Sequence, residues 1–362
     1  MLWRELGLDR LWGERLAASR KGTRWDEVLF VLVAYRLIAP GSEWRLHREW
    51  FTRSALADLL GEDARLSESH KLYRCHDRLL VHKQAVFDHL VGRWRDLFNA
   101  SFDVLLYDLT STYFEADPPF VDGGKRRYGY SRDHRPDCVQ VVIALVMTPE
   151  GLPLTYEVLA GNTSDKTTLK EFLARIERQY GKARRLLVID VAADRAEFSY
   201  RLDRDKLRQV YRREGRYLLR TNLTEDDPAK LWNLYLQLVN VEEAFKNLKG
   251  DLAIRPIFHQ LEQRIEAHIF IAFLAYCLYV TLARRLHALA PGLTPRSALE
   301  KFAAVQIIDV HVPTTDGREL LLTRYTEPEP ELKLLLDKMK LKLPAQPPPR
   351  ITASQASQAT SL

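Results

Sequence analysis

Cysteine is scarce in this chain: Cys75, Cys138 and Cys277 stand far apart, with no CxxC and no His/Cys cluster at zinc spacing. That excludes a disulfide framework and a cysteine-based zinc module, and it fits a reducing, cytoplasmic compartment. The N-terminal MLWRELGLDRLWGERL is amphipathic and carries acids. It has neither a signal-peptide hydrophobic region nor a small-residue cleavage site, so no export is expected. The longest apolar run, Ile269 to Ala283, covers 15 residues between Glu266 and His268 on one side and Arg284 and Arg285 on the other. A bilayer span needs about 20 residues, so the run reads as a buried helix and no membrane partner is expected. No GxxxxGK[ST] loop is present, which leaves ATP-driven chemistry without a phosphate cradle. An excess of one charge is lacking too: 54 Lys and Arg face 48 Asp and Glu, a net +6 that permits a polyanionic partner without demanding one.

What is present is ordinary globular material, with 46% apolar and 28% charged residues over 362 positions, enough for two domains at roughly 150 residues each. Residues 1–98 read as all-helical: apolar positions recur at helical spacing from Trp25 and again from Gln84, and Pro40-Gly-Ser interrupts the first run. Arg45, Arg48, Arg53, Lys71, Arg74, Arg78 and Lys83 interleave there with Trp44, Trp50, Phe51 and Tyr73. This is either a nucleic-acid face or solvated helix surface over an aromatic core. The first hundred residues hold 17 basic and 14 acidic side chains, so the charge is not concentrated there.

From Phe102 the pattern becomes extended. Val104–Phe114, Val139–Met147, Leu152–Leu159 and Leu186–Asp190 read as strands, the middle two joined by a Pro149-Glu-Gly151 turn. Gly161-Asn-Thr-Ser-Asp165 caps a helix to about Tyr180, Tyr217–Asn222 is a further strand candidate, and a long helix runs from Asp226 to Lys249. Arg255–Leu286 reads mostly as helix, and the proline-rich stretch with its Ser/Gln/Ala tail, 343–362, reads as disordered. Hairpin strands followed by a crossover helix predict an α/β fold: a mixed sheet with flanking helices.

Three acids carry the chemistry. Asp108 lies inside an apolar strand, Asp190 ends another, and Glu242 stands on the long helix. A carboxylate in a core strand calls for pairing, hydrogen bonds or a metal. Two strand carboxylates and one helix carboxylate suit hard divalent ions, and two Mg2+ about 4 Å apart serve phosphodiester chemistry. The plainer reading is an edge Asp on each strand and one helix acid among many. At roughly 100° per residue, Glu242 borders the core-facing stripe in line with Tyr235 and Lys249, whereas Glu243 points further out. The loop before the second strand holds Lys125, Arg126, Arg127, Arg132 and Arg135, which would neutralise phosphates if the acids cut phosphodiesters and would otherwise be a solvated loop. His259 and His268, nine apart with no third ligand evident, read as structural or DNA-contacting side chains in preference to a metal site. Thr110, Ser111 and Thr112 have no His placed to activate them and read as strand packing.

Tyr235-x2-Leu238-x3-Glu242-x6-Lys249, continued by Lys249-Gly-Asp-Leu-Ala-Ile-Arg-Pro-Ile-Phe-His259, resembles the Y-R-E-K signature of insertion-sequence transposases of the DDE class. Tyr107-Asp108-Leu-Thr-Ser-Thr-Tyr-Phe resembles their first-Asp strand, and the likeness extends to Gln306–Gly317. The resemblance implies a ribonuclease-H-like core in which Asp108, Asp190 and Glu242 bind two Mg2+, with Mn2+ as an alternative, and catalyse strand cleavage and transfer. It implies double-stranded DNA, transposon ends and target, as partner, and a synapsed homodimer. Tyr235, Lys246, Lys249, Arg255 and His259 would contact DNA together with the basic loop. Two departures stand out. Leu238 occupies the Arg position, and Asp190 is followed by Val-Ala-Ala-Asp194-Arg in place of Asp-Arg-Gly. An internal deletion is therefore expected, leaving Asp190, Asp194 or neither as second acid. The implied domains are a helical DNA-binding domain at 1–98, a catalytic core at 99–290 with a truncated insertion at about 191–225, a helical extension at 291–342 and the tail. The rival is an inactive DNA-binding remnant.

Overall fold

The computed structural model describes residues 1–20, 22–60, 64–102, 104–115, 124–163, 186–188, 227–343 and 345–353. Helices come first: α1 (Leu2–Glu5), α2 (Leu8–Arg15), α3 (Trp25–Ile38), α4 (Glu43–Arg45), α5 (Leu56–Leu60), α6 (Ser69–Leu79) and α7 (Lys83–Phe98). Strands β1 (Val104–Tyr113), β2 (Gln140–Met147), β3 (Pro153–Ala160) and β4 (Leu186–Val188) follow, then α8 (Pro228–Leu236), α9 (Leu238–Lys249) and α10 (Glu262–Leu289). The C-terminal part adds α11 (Pro295–Phe302), β5 (Ile307–Pro313), β6 (Arg318–Tyr325), α12 (Pro330–Lys338) and β7 (Arg350–Ala353). Two compact units result, Met1–His47 with Leu66–Leu278 and Arg48–Arg65 with Tyr279–Leu362.

In the first unit the sheet order is β3-β2-β1-β4, with β1–β2 and β2–β3 antiparallel and β1–β4 parallel. Every residue of β2 is buried, as expected of an apolar strand covered on both faces. The β2–β3 turn closes with Leu152 O accepting from Thr148 N at 2.9 Å, and Gly151 takes φ 84°, a left-handed conformation that favours glycine. Pro153 opens β3 on the sheet edge, where its missing N–H is tolerated. Of the N-terminal helical region, expected as a domain of its own, Met1–His47 and the residues from Leu66 onward belong to the same unit as this sheet. The cause is an aromatic core shared between α7, β3 and α10: Phe87 lies 5.7 Å from Tyr156 and 5.3 Å from Phe273, ring centre to ring centre. The fully buried Trp94 donates from Nε1 to Pro153 O at 2.9 Å. Each such buried aromatic is worth about 1.5–3 kcal/mol of transfer free energy, more than helix surfaces alone would supply.

Other boundaries shift. The long helix divides at Gln237, which keeps helical dihedrals, into α8 and α9. Residues 255–261 are not helical; α10 begins only at Glu262, because Ile254 N and Ile257 N are bonded outside it, to Leu248 O and Tyr113 O. Helix α10 is long and apolar enough by composition to cross a membrane, yet its apolar window is 94% buried inside the protein.

The second unit corrects the expectation of a helical 291–342. Ile307-Ile-Asp-Val-His-Val and Leu320-Leu-Leu-Thr form an antiparallel hairpin whose turn places Gly317 at φ 78°, with Thr314 N donating to Arg318 O at 2.9 Å. The tail is corrected in part: Arg350–Ala353 pair with β6 as its third strand. The expected helix at 165–180, the strand at 217–222 and the shortened insertion at 191–225 lie outside the described residues, as do 354–362.

Candidate functional site

Asp108 occupies the middle of β1, flanked by β2 and β4, with Leu145 opposite it on β2. It is half-buried, and its Oδ1 accepts from Leu109 N at 2.7 Å. Leu106 pairs with Val188 on the parallel strand β4. Asp190 follows Val188 by two residues, as Asp108 follows Leu106; Asp190 and Asp194 themselves lie outside the described residues.

Glu242 is on α9, which packs against β1. That helix buries Leu238, Val241, Ala244, Phe245 and Leu248, the i, i+3, i+4 stripe of an amphipathic helix, and leaves Glu242 and Glu243 exposed. Asn240 Nδ2 donates to Pro149 O at 2.6 Å and ties α9 to the β2–β3 turn. The described carboxylates are hard oxygen donors, the set that Mg2+ or Mn2+ takes.

The basic loop is held by close backbone packing. A Cβ on Gly129 would collide with Gly161 O, and Gln140 Nε2 donates to Tyr130 O and Gly161 O at 2.9 and 2.8 Å. At least four of the eight Lys and Arg side chains read as DNA contacts already have acidic partners. Lys249 Nζ lies 2.7 Å from Asp133 Oδ1, and Arg255 meets the same oxygen of this side chain, which is only 4% exposed. Burial lowers the Lys249 pKa, against the raising effect of Asp133. Arg135 bonds Asp137 and Glu115 and covers the Tyr113 ring at 4.9 Å. Lys125 joins Lys83 on Glu266, at 3.2 and 2.9 Å. Arg126 lies over the Phe114 ring, Arg127 is exposed with its Nε donating to Gly124 O, and Arg132 is half-buried, its backbone N donating to Ser111 Oγ. Tyr235 is half-buried beside the Trp232 ring, and Lys246 is exposed.

His259 faces inward. It is 7% exposed, and its Nε2 lies 3.2 Å from Glu43 Oε1. His76 Nε2 and His268 Nδ1 approach the same oxygen at 3.3 and 3.8 Å. The ligating atoms of these four buried residues all fall within 4.8 Å of one another. Glu43 opens α4 after its Ser42 cap, His76 is on α6, His259 is in the loop after α9, and His268 is on α10. Sequence spacing could pair only the last two, because the other members come from helices nearly two hundred residues earlier. Burial and the Arg36 charge lower the His268 pKa to about 3.

Among curated proteins, none matches the chain. Residues 103–278, the segment that carries β1–β4, Asp108, Glu242 and the basic loop, match the family model described as Transposase DDE domain, and this match supports a DDE-type transposase.

Proposed function

We propose that the chain is a DNA transposase of an insertion sequence, one that binds terminal inverted repeats and performs metal-dependent strand cleavage and transfer. The observation that carries this reading is Asp108 at the centre of a β3-β2-β1-β4 sheet within the matched segment, with α9, the helix that carries Glu242, packed on the same strand. A parallel β4 beside an antiparallel β1–β2–β3 supports a ribonuclease-H-like core.

Asp108, Glu242 and a second acid, Asp190 in our reading, would hold two Mg2+ or Mn2+. Bound there, the ions supply Lewis-acid activation of water and neutralise charge at the phosphodiester. The protein's part is positioning. Pairing with β2 at Asp108 itself and with β4 at Val104–Leu106 holds the strand that carries it, and the Leu109 N–H orients its carboxylate. The buried face of α9 and the Asn240 bond fix the helix that presents Glu242. Tyr235, Lys246 and the loop cations would receive phosphates, with Lys249 and Arg255 held back by Asp133, and a second copy of the chain would complete the synapse. In cleavage, water oxygen bonds to phosphorus, the P–O3′ bond breaks, and the leaving oxygen takes a proton to become the 3′-OH. That hydroxyl then attacks a second phosphodiester: its oxygen bonds to phosphorus, the P–O3′ bond of the attacked strand breaks, and the hydroxyl proton passes to the displaced 3′ oxygen, with no covalent enzyme intermediate.

A plasmid carrying the gene's own genomic flanks tests this. In Mg2+ the wild-type chain should cut at the element ends, Asp108→Asn and Glu242→Gln should lose at least 100-fold, and Glu243→Gln should stay near wild type. Loss in Asp190→Asn but not Asp194→Asn assigns the second acid. The unusual Val-Ala-Ala after Asp190 favours the alternative of an inactive remnant; end binding without any cleavage by the wild-type chain would establish it.

A further inference from the structure

We infer that Glu43, His76, His259 and His268 form a closed tetrahedral site for one structural transition-metal ion, Zn2+ by the chemistry of its donors. Zinc binds imidazole nitrogen and carboxylate oxygen at about 2.0–2.2 Å. The edge of such a tetrahedron is 1.63 bond lengths, so neighbouring ligand atoms lie about 3.3–3.6 Å apart. The three ring nitrogens stand 3.3, 3.2 and 3.8 Å from Glu43 Oε1.

Hydrogen placement strengthens the case. His76 Nδ1 lies 2.9 Å from Leu72 O and His268 Nε2 lies 3.2 Å from Ile254 O. Each of those nitrogens must carry the hydrogen, because a carbonyl can only accept. A neutral His76 therefore turns a bare Nε2 lone pair toward a carboxylate oxygen, two acceptors face to face. That Nε2 is buried and, among the described residues, has no hydrogen-bond partner. A neutral His268 also turns its Nδ1 lone pair inward, 3.8 Å from Glu43 Oε1 and 3.5 Å from a guanidinium nitrogen of Arg36. Ring N–H donation to backbone carbonyls is the outer-shell arrangement that fixes metal-ligating histidines. A cation at the centre converts the unfavourable lone-pair contacts into ligand bonds.

The surroundings permit this. A cavity of about 520 Å³ lined by Glu43, His259, Tyr73 and Arg264 leads to the cluster and gives an ion a path in. With three nitrogens and one oxygen all from protein, no coordination position is left for substrate, which is the pattern of structural zinc. The ion would link α4, α6, α10 and the loop after α9 at one point. The competing occupant is a proton on His76 shared with Glu43, with Arg36, 3.5 Å from His268 Nδ1, donating to that nitrogen.

The test uses the full-length protein, incubated with excess ZnCl2, dialysed, and checked for folding by circular dichroism. Elemental analysis should find about one zinc per chain, and X-ray absorption at the zinc edge should show an N/O shell with outer scattering from three imidazoles and no sulfur. His76→Ala should retain less than a fifth of the zinc; should it fail to fold, the wild-type spectrum decides. Asp108→Asn and Glu242→Gln should keep the zinc. A folded wild-type chain holding under a tenth of an equivalent overturns the site in favour of the proton. Sulfur or fewer than three imidazoles in the shell overturns it too, as does loss of zinc with the Asp108 or Glu242 variants.

Discussion

Replacing Asp133 with Asn keeps the shape of the side chain and removes the charge that holds Lys249 and Arg255. Two effects of opposite sign should appear. Removing one partner of a fully buried ion pair costs about 3–5 kcal/mol. Here the Lys249 side chain is 13% exposed and that of Arg255 is 30%. Both can turn to water, so the fold should lose only about 1–2 kcal/mol, read from urea unfolding. DNA binding should gain. Each added phosphate contact steepens the fall of log K with log salt by about 0.9, so two released cations add about 1.8. Over a fourfold rise in salt, from about 50 to 200 mM, the variant's advantage should shrink roughly 12-fold, since 4 raised to 1.8 is about 12. Fluorescence anisotropy with a labelled duplex across a salt series measures this, with Asp133→Glu expected to behave as wild type. An unchanged affinity and slope in a folded Asp133→Asn protein would refute the assignment of Lys249 and Arg255 to phosphates.

Two further outcomes follow from the core and the lysine cluster. Trp94→Ala should destabilise the first unit by about 3–5 kcal/mol in denaturant unfolding, through the cavity it leaves. Trp94→Phe should cost about 1–2 kcal/mol, because it loses the bond to Pro153 O and part of the ring volume. Burial pushes the Glu266 carboxyl up, but Lys83 and Lys125 outweigh burial and hold it below its ordinary 4.5. A depressed folded pKa stabilises fully above the unfolded value and is lost as pH falls through the folded one. Thermal stability should therefore drop below about pH 4.5, and Glu266→Gln should flatten that part of the profile.

The four-stranded sheet was legible because its signals are local. Val104–Phe114, Val139–Met147 and Leu152–Leu159 are apolar runs bounded by turn residues, and the observed strands begin and end within one residue of them. The flanking position of Glu242 on its helix followed from the same periodicity, since Leu238, Val241 and Phe245 define the buried arc. The β5–β6 hairpin was missed although Ile308, Val310 and Val312 alternate with Asp309 and His311, because β5 is largely exposed and β6 only half-buried, so neither has the long apolar run of a core strand. The cations could be counted but not their distant partners: Asp133 and Glu266 neutralise Lys249, Arg255 and Lys125 through tertiary contacts that no spacing rule encodes. Glu43 and His76 were invisible as partners of His259 and His268 for the same reason.

The central claim, that Asp108 and Glu242 ligate the ions that cut DNA, is tested most directly by a metal-specificity switch. Thiolate is a poor ligand for Mg2+ and accepts softer ions. Asp108→Cys and Glu242→Cys should therefore lose end cleavage in Mg2+ and regain at least a tenth of wild-type activity in Mn2+ or with added Cd2+, whereas Asp108→Ala and Glu242→Ala should stay inactive with every ion. Cysteine variants that cut normally in Mg2+, or that no softer ion restores while the alanine variants behave identically, would contradict the account.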